Sequence, residues 1–361
     1  MDRRDFLRIS SLASASIMYP TLAPPAFAKG TDGAPWRTFE VTKRIEVLKP
    51  AGVTRVWLPT PLTRDCAYQK ALGNAYEAEG GTGSYSVDSK YGAGMVWAEW
   101  AEGVKPILVE KSRFATRDVA VDLSRPGAQV AENPLTLAKY TAATELMPTD
   151  GIVRETSSSI VKGAKTDLEK ARALYEWVVD NTYRDPKTRG CGVGDIKFML
   201  ENKAYGGKCA DINALFVALA RAEGIPARDV YGIRVADSAL GYKSLGKSGD
   251  ITKAQHCRAE FYLAGHGWIP VDPGDVRKVI LEEGGGNAID DPMVVAARKR
   301  LFGSWEMNYL VYNYAHDLAL PGSSRGKIGF LMYPQCETAE GRLDPLDPDN
   351  FKYQITSREI V

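Results

Sequence analysis

Residues 205–234 read YGGKCADINALFVALARAEGIPARDVYGIR. Gly206-Gly207 interrupts whatever precedes it, and Cys209 follows at the first turn of an expected helix. Ile212, Leu215, Phe216, Leu219 and Ala222 then recur at three- and four-residue spacing, one apolar face of an amphipathic helix. Gly224 suits a left-handed cap, and Pro226 forbids continuation, so the chain turns into a strand by Val235. A cysteine at a helix start meets N–H groups with no intrahelical partner and the positive end of the helix dipole. Both favour thiolate over thiol. The opposing reading is a small buried hydrophobe, the commonest fate of a free cysteine, and this segment alone does not decide between the two.

The deciding residues lie downstream. Gln255–Leu263 reads as a strand whose side chains alternate faces, with His256, Arg258, Glu260 and Tyr262 on one side. Cys257, Ala259, Phe261 and Leu263 share the other, apolar side, which gives Cys257 a structural role. Ala264–Gly267 is a turn and Trp268–Asp272 the return strand, closed by Pro273. A symmetric hairpin sets Asp272 opposite residue 258 or 259, a diagonal neighbour of His256 about 7–8 Å away at the backbone. Cys209, His256 and Asp272 thus supply nucleophile, base and orienting carboxylate of a thiol-based acyl-transfer centre. That chemistry calls for no metal and no cofactor. The Cys209 N–H is a natural oxyanion donor. Tyr205, Lys208 and Arg258 are candidate oxyanion or substrate contacts, although packing is the favoured reading of Tyr205 and a solvated or paired strand face that of Arg258. Asp211 is placed to pair with Lys208 or to favour its own helix start.

Gly207-Lys208-Cys209, Gly224-Ile225-Pro226-Ala227-Arg228, His256 with Glu260, and Gly267-Trp268 with Val271-Asp272-Pro273 together resemble the transglutaminase-like superfamily, over roughly residues 150–275. The resemblance implies a fold similar to papain-like cysteine proteases, and it carries the nucleophile, base and carboxylate onto Cys209, His256 and Asp272. Animal transglutaminases have Gln before and Trp after the cysteine, where this chain has Lys208 and Ala210. Their tryptophan three residues before the histidine is Lys253 here, and no cluster of calcium ligands is evident. These departures favour water over an amine as acyl acceptor.

The chain has 361 residues, 44% apolar and 25% charged, with a formal net charge of +1. This is ordinary for a globular protein with two domains and gives no electrostatic case for nucleic acid. Arg3-Arg4-Asp5-Phe6-Leu7-Arg8 followed by a short apolar run and Ala26-Phe27-Ala28 reads as a twin-arginine signal peptide over residues 1–28. The expectation is a periplasmic or otherwise exported protein with no membrane span in the mature chain, partnered by the twin-arginine export machinery and a peptide or protein substrate of the cell envelope. Five cysteines at wide spacing, with no CxxC pair, give poor support to a zinc site. Export in the folded state favours reduced, buried cysteines.

The expected fold class is α+β. Residues 34–130 alternate with period two and read as a β-sandwich. Residues 134–361 read as a transglutaminase-like, papain-like catalytic domain with an antiparallel sheet. Its helices include one opened by the capping-box pattern Thr166–Glu169. Trp97 and Trp100 are core residues in preference to a ligand platform, and Trp305, Asn308 and Tyr309 likewise pack by default. Residues 304–313, 328–333 and 351–355 are expected as further strands of the catalytic sheet. His266 falls in a turn and is expected to be exposed, and neither it nor His316 is assigned to the site. The leading functional expectation is a cysteine-dependent peptidase or amidase acting through a thioester. The alternatives are a protein-glutamine transglutaminase and a non-catalytic envelope-binding protein.

Overall fold

The computed structural model describes residues 34–125, 127–128, 131–283 and 289–360. The expected signal peptide and the Gly284–Gly286 loop lie outside them. In chain order the structure runs β1 (Arg37–Val47), β2 (Thr54–Pro59), β3 (Gln69–Glu79), β4 (Thr82–Val87), β5 (Gly94–Trp100), β6 (Ile107–Thr116) and β7 (Val119–Ala120). Then come α1 (Pro134–Thr141), α2 (Gly151–Ile160), α3 (Asp167–Asn181), β8 (Tyr183–Arg184), α4 (Ile196–Glu201), β9 (Gly206–Gly207), α5 (Cys209–Ala222) and β10 (Ala227–Arg234). The chain continues through β11 (Gly249–Asp250), β12 (Gln255–Leu263), β13 (Gly267–Val271), α6 (Pro273–Glu282), α7 (Pro292–Arg300), β14 (Ser304–Trp305) and β15 (Tyr309–Asn313). It ends with β16 (Gln335–Thr338), β17 (Gly341–Leu343) and β18 (Phe351–Ile360).

Two five-stranded sheets, ordered β11-β18-β1-β6-β3 and β17-β16-β2-β5-β4, share a core that includes Ile45, Val56, Val96, Trp100, Leu108 and Phe351. The alternation read in β1 sends Phe39, Val41, Ile45 and Val47 inward. Lys43 occupies the same inward face and is neutralised there: its Nζ donates to Glu110 Oε2 at 2.9 Å and to the Pro59 carbonyl at 2.8 Å. The sandwich is completed by the end of the chain. Phe351–Ile360, expected on the catalytic sheet, instead pairs antiparallel with β1, and β16 pairs with β2. A period-two pattern identifies a strand but not its neighbour, and β1 and β2 each offer an edge that the N-terminal strands leave open. Residues 328–333 do not form the expected strand either. Ile328 makes an isolated bridge with Leu318, and the segment then packs into the cluster at the start of α5.

The other sheet is the antiparallel β13-β12-β10-β15, so Tyr309–Asn313 does join it as expected. Its helices pack around α5. The Thr166–Glu169 capping box forms, with Thr166 N–H donating to Glu169 Oε2 at 3.1 Å and Glu169 N–H donating to Thr166 Oγ1 at 3.2 Å. Helix α5 differs from the expectation of one apolar face: every residue from Cys209 to Ala222 is buried. Its polar positions are matched inside the protein. Arg221 donates to the carbonyls of Ala227 (2.8 Å) and Ala142 (3.1 Å), and Asn213 reaches the sheet. The helix ends at Gly224, whose φ of +79° a side chain would strain. Among the described residues no helix is long and apolar enough to cross a membrane.

Candidate active site

The start of α5 is fixed by Asp211. Its Oδ2 accepts from the Lys208 N–H at 3.0 Å, while Oδ1 accepts from Val193 and Gly194 N–H, both at 2.9 Å. The residue thus caps its own helix through the Lys208 backbone, not through the Lys208 ammonium. The same bonds lace the 190–194 loop onto the helix. Gly192 permits this: at φ +93° a Cβ would stand 1.8 Å from Asp211 Oδ2. The Ala210 N–H donates to the Cys191 carbonyl at 2.9 Å. Cys209 at the first helical position has no N–H acceptor among the described residues, and it is 3% exposed.

Strand β12 presents His256, 4% exposed, and β13 returns beside it with Val271 opposite Ala259. The hairpin register therefore sets Asp272 where the turn arithmetic placed it, and the side chains meet: His256 Nε2 is 2.8 Å from Asp272 Oδ2. Asp272 is also the N-cap of α6. Its Oδ1 accepts from the Asp275 N–H at 2.9 Å and from Asn213 Nδ2 at 3.1 Å. Asn213 Oδ1 in turn accepts from the Gly274 N–H, so one amide joins α5 to the start of α6. Tyr309 donates to the His256 carbonyl at 2.7 Å and holds that strand residue from behind.

Two residues at this site escaped the sequence reading. Asp275 Oδ1 lies 3.3 Å from His256 Nε2 and 2.6 Å from Arg234 Nη2. Asp272-Pro-Gly-Asp275 carried the signal, because an N-cap acid and an acid three residues on share one helix start. Asn213 follows Cys209 by four residues, hence on the same helix face. Arg258, a candidate substrate contact, is 2% exposed and turned elsewhere. Its Nη1 donates to the Glu306 carbonyl, its Nε lies 3.6 Å from Asp272 Oδ2, and its guanidinium stacks on Tyr309 at 4.3 Å. It therefore backs the carboxylate and has no open cleft to face. Glu260 is paired with Arg228 at 2.6 Å. Tyr205 is half-buried, its ring edge-on to Trp177 at 5.8 Å. Trp305, Asn308 and Tyr309 are buried, as packing residues are.

These contacts set the proton affinities. Hydrogen bonds from Cys191 and Cys257, with His256 adding both a bond and its charge, hold the Cys209 thiol well below its ordinary value despite burial. Burial alone would depress His256, but the charges of Asp275 and Asp272 outweigh it and raise the imidazole to about 9. Asp272 is itself raised by burial and by the neighbouring Asp275 charge. Asp275 is held well below the carboxylate range, Arg234 and His256 overcoming its burial. A lowered thiol beside a raised imidazole favours the thiolate–imidazolium form of the pair. An Nε2–H given to Asp272 leaves Nδ1 to exchange a proton with sulfur.

Ligand atoms of His256, Asp272 and Asp275 lie within 4.8 Å of one another, the spacing of a cation site. The guanidinium groups of Arg234 and Arg258 already balance those two carboxylates, so the donor set does not suit a further cation. All five cysteines are free thiols, with Cys66 half-buried and the rest buried. His266, expected to be exposed, is half-buried, with Nε2 2.8 Å from the Arg125 carbonyl. His316 forms a separate buried pair, Nε2 to Asp229 Oδ2 at 3.0 Å, beside a cavity of about 10 Å³ that Ala210, Gly194, Tyr231 and Phe330 also line. Met332 and Tyr333 pack in one buried cluster with Cys209. They are carried by the 328–333 segment, which the Phe330 ring stacked on Tyr231 and the Asn313 Nδ2 bond to the Leu331 carbonyl hold in place.

A buried cysteine at a helix start, beside a histidine and carboxylates on an antiparallel sheet, is the arrangement that cysteine–histidine acyl transfer requires. The transglutaminase-like superfamily model matches residues 154–273, which contain all three candidate residues. An uncharacterized protein of Haemophilus influenzae is 34% identical over 342 residues, spanning 89% of this chain and 91% of that protein. A crystal structure described as that of a candidate cysteine protease from Cytophaga hutchinsonii shares the fold with a TM-score of 0.55 and 15% identity, over 90% of this chain and 99% of that one. The periplasmic domain of TgpA from Pseudomonas aeruginosa matches at a TM-score of 0.36 and 12% identity, over 73% of this chain and 98% of that one. The chain belongs to the transglutaminase-like superfamily, whose members are typically cysteine-dependent enzymes.

With only three histidines in the chain, the imidazole carbons can be followed individually by NMR. His256 should titrate near 9 in the wild type, and Asp275→Asn should lower that midpoint by about one unit or more, worth about 1.4 kcal/mol per unit. An unchanged midpoint would mean that Asp272 alone sets the imidazole.

Proposed function

We propose that this protein is an exported cysteine-dependent hydrolase that cleaves amide bonds in peptide or peptide-like substrates. The observation that carries the reading is Cys209 at the first turn of α5, in a site where His256 lies 2.8 Å from Asp272 and 3.3 Å from Asp275. The thiolate attacks the substrate carbonyl carbon, and the developing oxyanion finds the unpaired Cys209 N–H. The His256 imidazolium gives its proton to the leaving amine, the C–N bond breaks, and a thioester remains. The neutral imidazole then takes a proton from water, hydroxide displaces sulfur, and the acid product leaves. Asp272 keeps the ring in the tautomer that allows both transfers. Lys208 and Ala210 flank the nucleophile without the aromatic wall that would favour an amine over water. Cys209 is 3% exposed and packs in one cluster with Met332 and Tyr333, so some of that packing must open for a substrate to enter.

Export rests on Arg3-Arg4 and the Ala26-Phe27-Ala28 triplet. Replacing both arginines by lysine should keep the chain uncleaved in the cytoplasm on cell fractionation. Unchanged processing would remove this part of the reading. For the chemistry, peptide digests of cell-envelope material incubated with the mature protein should gain new amino groups. Cys209→Ala should reduce that rate by roughly three orders of magnitude or more. Retained turnover by Cys209→Ala would sink the hydrolase reading. Incorporation of a labelled amine into a glutamine peptide without cleavage would move it to transamidation.

A further inference from the structure

The proposed mechanism uses one thiol of three. Cys191 and Cys257 lie in the same buried cluster as Cys209, with Met332 and Tyr333. They are not equivalent. Cys257 sits in β12, paired with Tyr231 of β10, and its Sγ rests 3.7 Å from Met332 Sδ. Moving it would disturb the central sheet. Cys191 belongs to the loop laced onto the start of α5, and its carbonyl accepts from the residue next to the nucleophile. Its Sγ lies 3.4 Å from the Gln255 carbonyl and is also within hydrogen-bonding reach of the Cys209 sulfur. Gly190 at φ +57° and Gly192 at φ +93° flank it, so neither neighbour has a side chain to repack if the loop turns. It is the thiol free to travel the short distance to Cys209.

We propose that Cys191 is a resolving thiol, which captures Cys209 as an intramolecular disulfide when a hydroperoxide oxidises the nucleophile. The inference rests on Cys209 being the reactive thiolate of the proposed function. In the first step the Cys209 thiolate attacks the peroxide oxygen. The O–O bond breaks, an S–O bond forms, and the departing oxygen takes a proton to leave as water or an alcohol. Sulfur has lost two electrons and the peroxide has gained them. In the second step Cys191 sulfur attacks the sulfenic sulfur. The S–S bond forms, the S–O bond breaks, and hydroxide leaves with the Cys191 proton as water. A dithiol restores both thiols by exchange. Proton affinities support the division of labour, since Cys209 is lowered and Cys191 is raised, chiefly by the neighbouring Cys209. Linkage closes the site reversibly and keeps Cys209 from the irreversible sulfinic state.

The test treats the reduced mature protein with one equivalent of hydrogen peroxide, blocks remaining thiols with N-ethylmaleimide, and maps peptides by mass spectrometry. The expected product joins the Cys191 and Cys209 peptides, lighter by two hydrogens. Cys209 should lose reactivity to iodoacetamide, and a dithiol should restore it. In Cys191→Ser, one equivalent should leave Cys209 as the sulfenic acid, and a second equivalent should carry it to the sulfinic acid, from which a dithiol recovers nothing. A Cys209–Cys257 link, or sulfinic Cys209 in the wild type without any link, would overturn the proposal, whether or not the variant folds. A protein that forms the Cys191–Cys209 link yet cleaves no amide keeps this inference and removes the hydrolase reading.

Discussion

Two carboxylates, two guanidinium groups and an imidazole are buried together beside the start of α5, and the site depends on how they balance. Asp275 pairs with Arg234, Asp272 is backed by Arg258, and His256 touches both acids. The four fixed charges cancel, and a proton passing from Cys209 to His256 leaves the total over cluster and thiol unchanged. What it changes is position. The positive charge then lies against Asp272 and Asp275, and the negative one at the start of α5, where the Cys209 N–H has no acceptor among the described residues. That arrangement makes an ion pair affordable in a site from which water is nearly excluded.

The fold serves this balance by tying three elements at one point. Asn213, one turn into α5, bonds both Asp272 and the backbone of β12, and Asp272 in turn caps α6. Asp211 fixes the other side of the helix start to the 190–194 loop. The sandwich is attached through the end of the chain. After β15 leaves the antiparallel β13-β12-β10-β15 sheet, residues 330–333 pack into the cluster that holds Cys209, and β16 and β18 then join the two sandwich sheets. That segment is therefore anchored at both ends in β-structure.

The sequence made legible what depends on local pattern. The capping box at Thr166, the end of α5 at Gly224 and the hairpin that sets Asp272 diagonal to His256 all follow from spacing. Long-range partners did not follow. Nothing in Phe351–Ile360 says that it pairs with β1, more than 300 residues earlier. Lys43, Arg221 and Arg258 are buried because carboxylates or carbonyls set beside them by the fold neutralise or bond them, and spacing along the chain does not show those partners. Asp275 was overlooked because two acids near one histidine are unfavourable until Arg234, from another strand, is placed between them.

The central claim is that Cys209 and His256 share an ion pair at neutral pH. The rate of iodoacetamide labelling at Cys209, followed by peptide mapping from pH 6 to pH 8, tests it most directly. The balance of charges predicts a rate at pH 6 within about threefold of that at pH 8, because the thiolate is already formed. An ordinary thiol would slow roughly 100-fold over the same interval. A tenfold rise per pH unit at Cys209, matching a free thiol, would contradict the account.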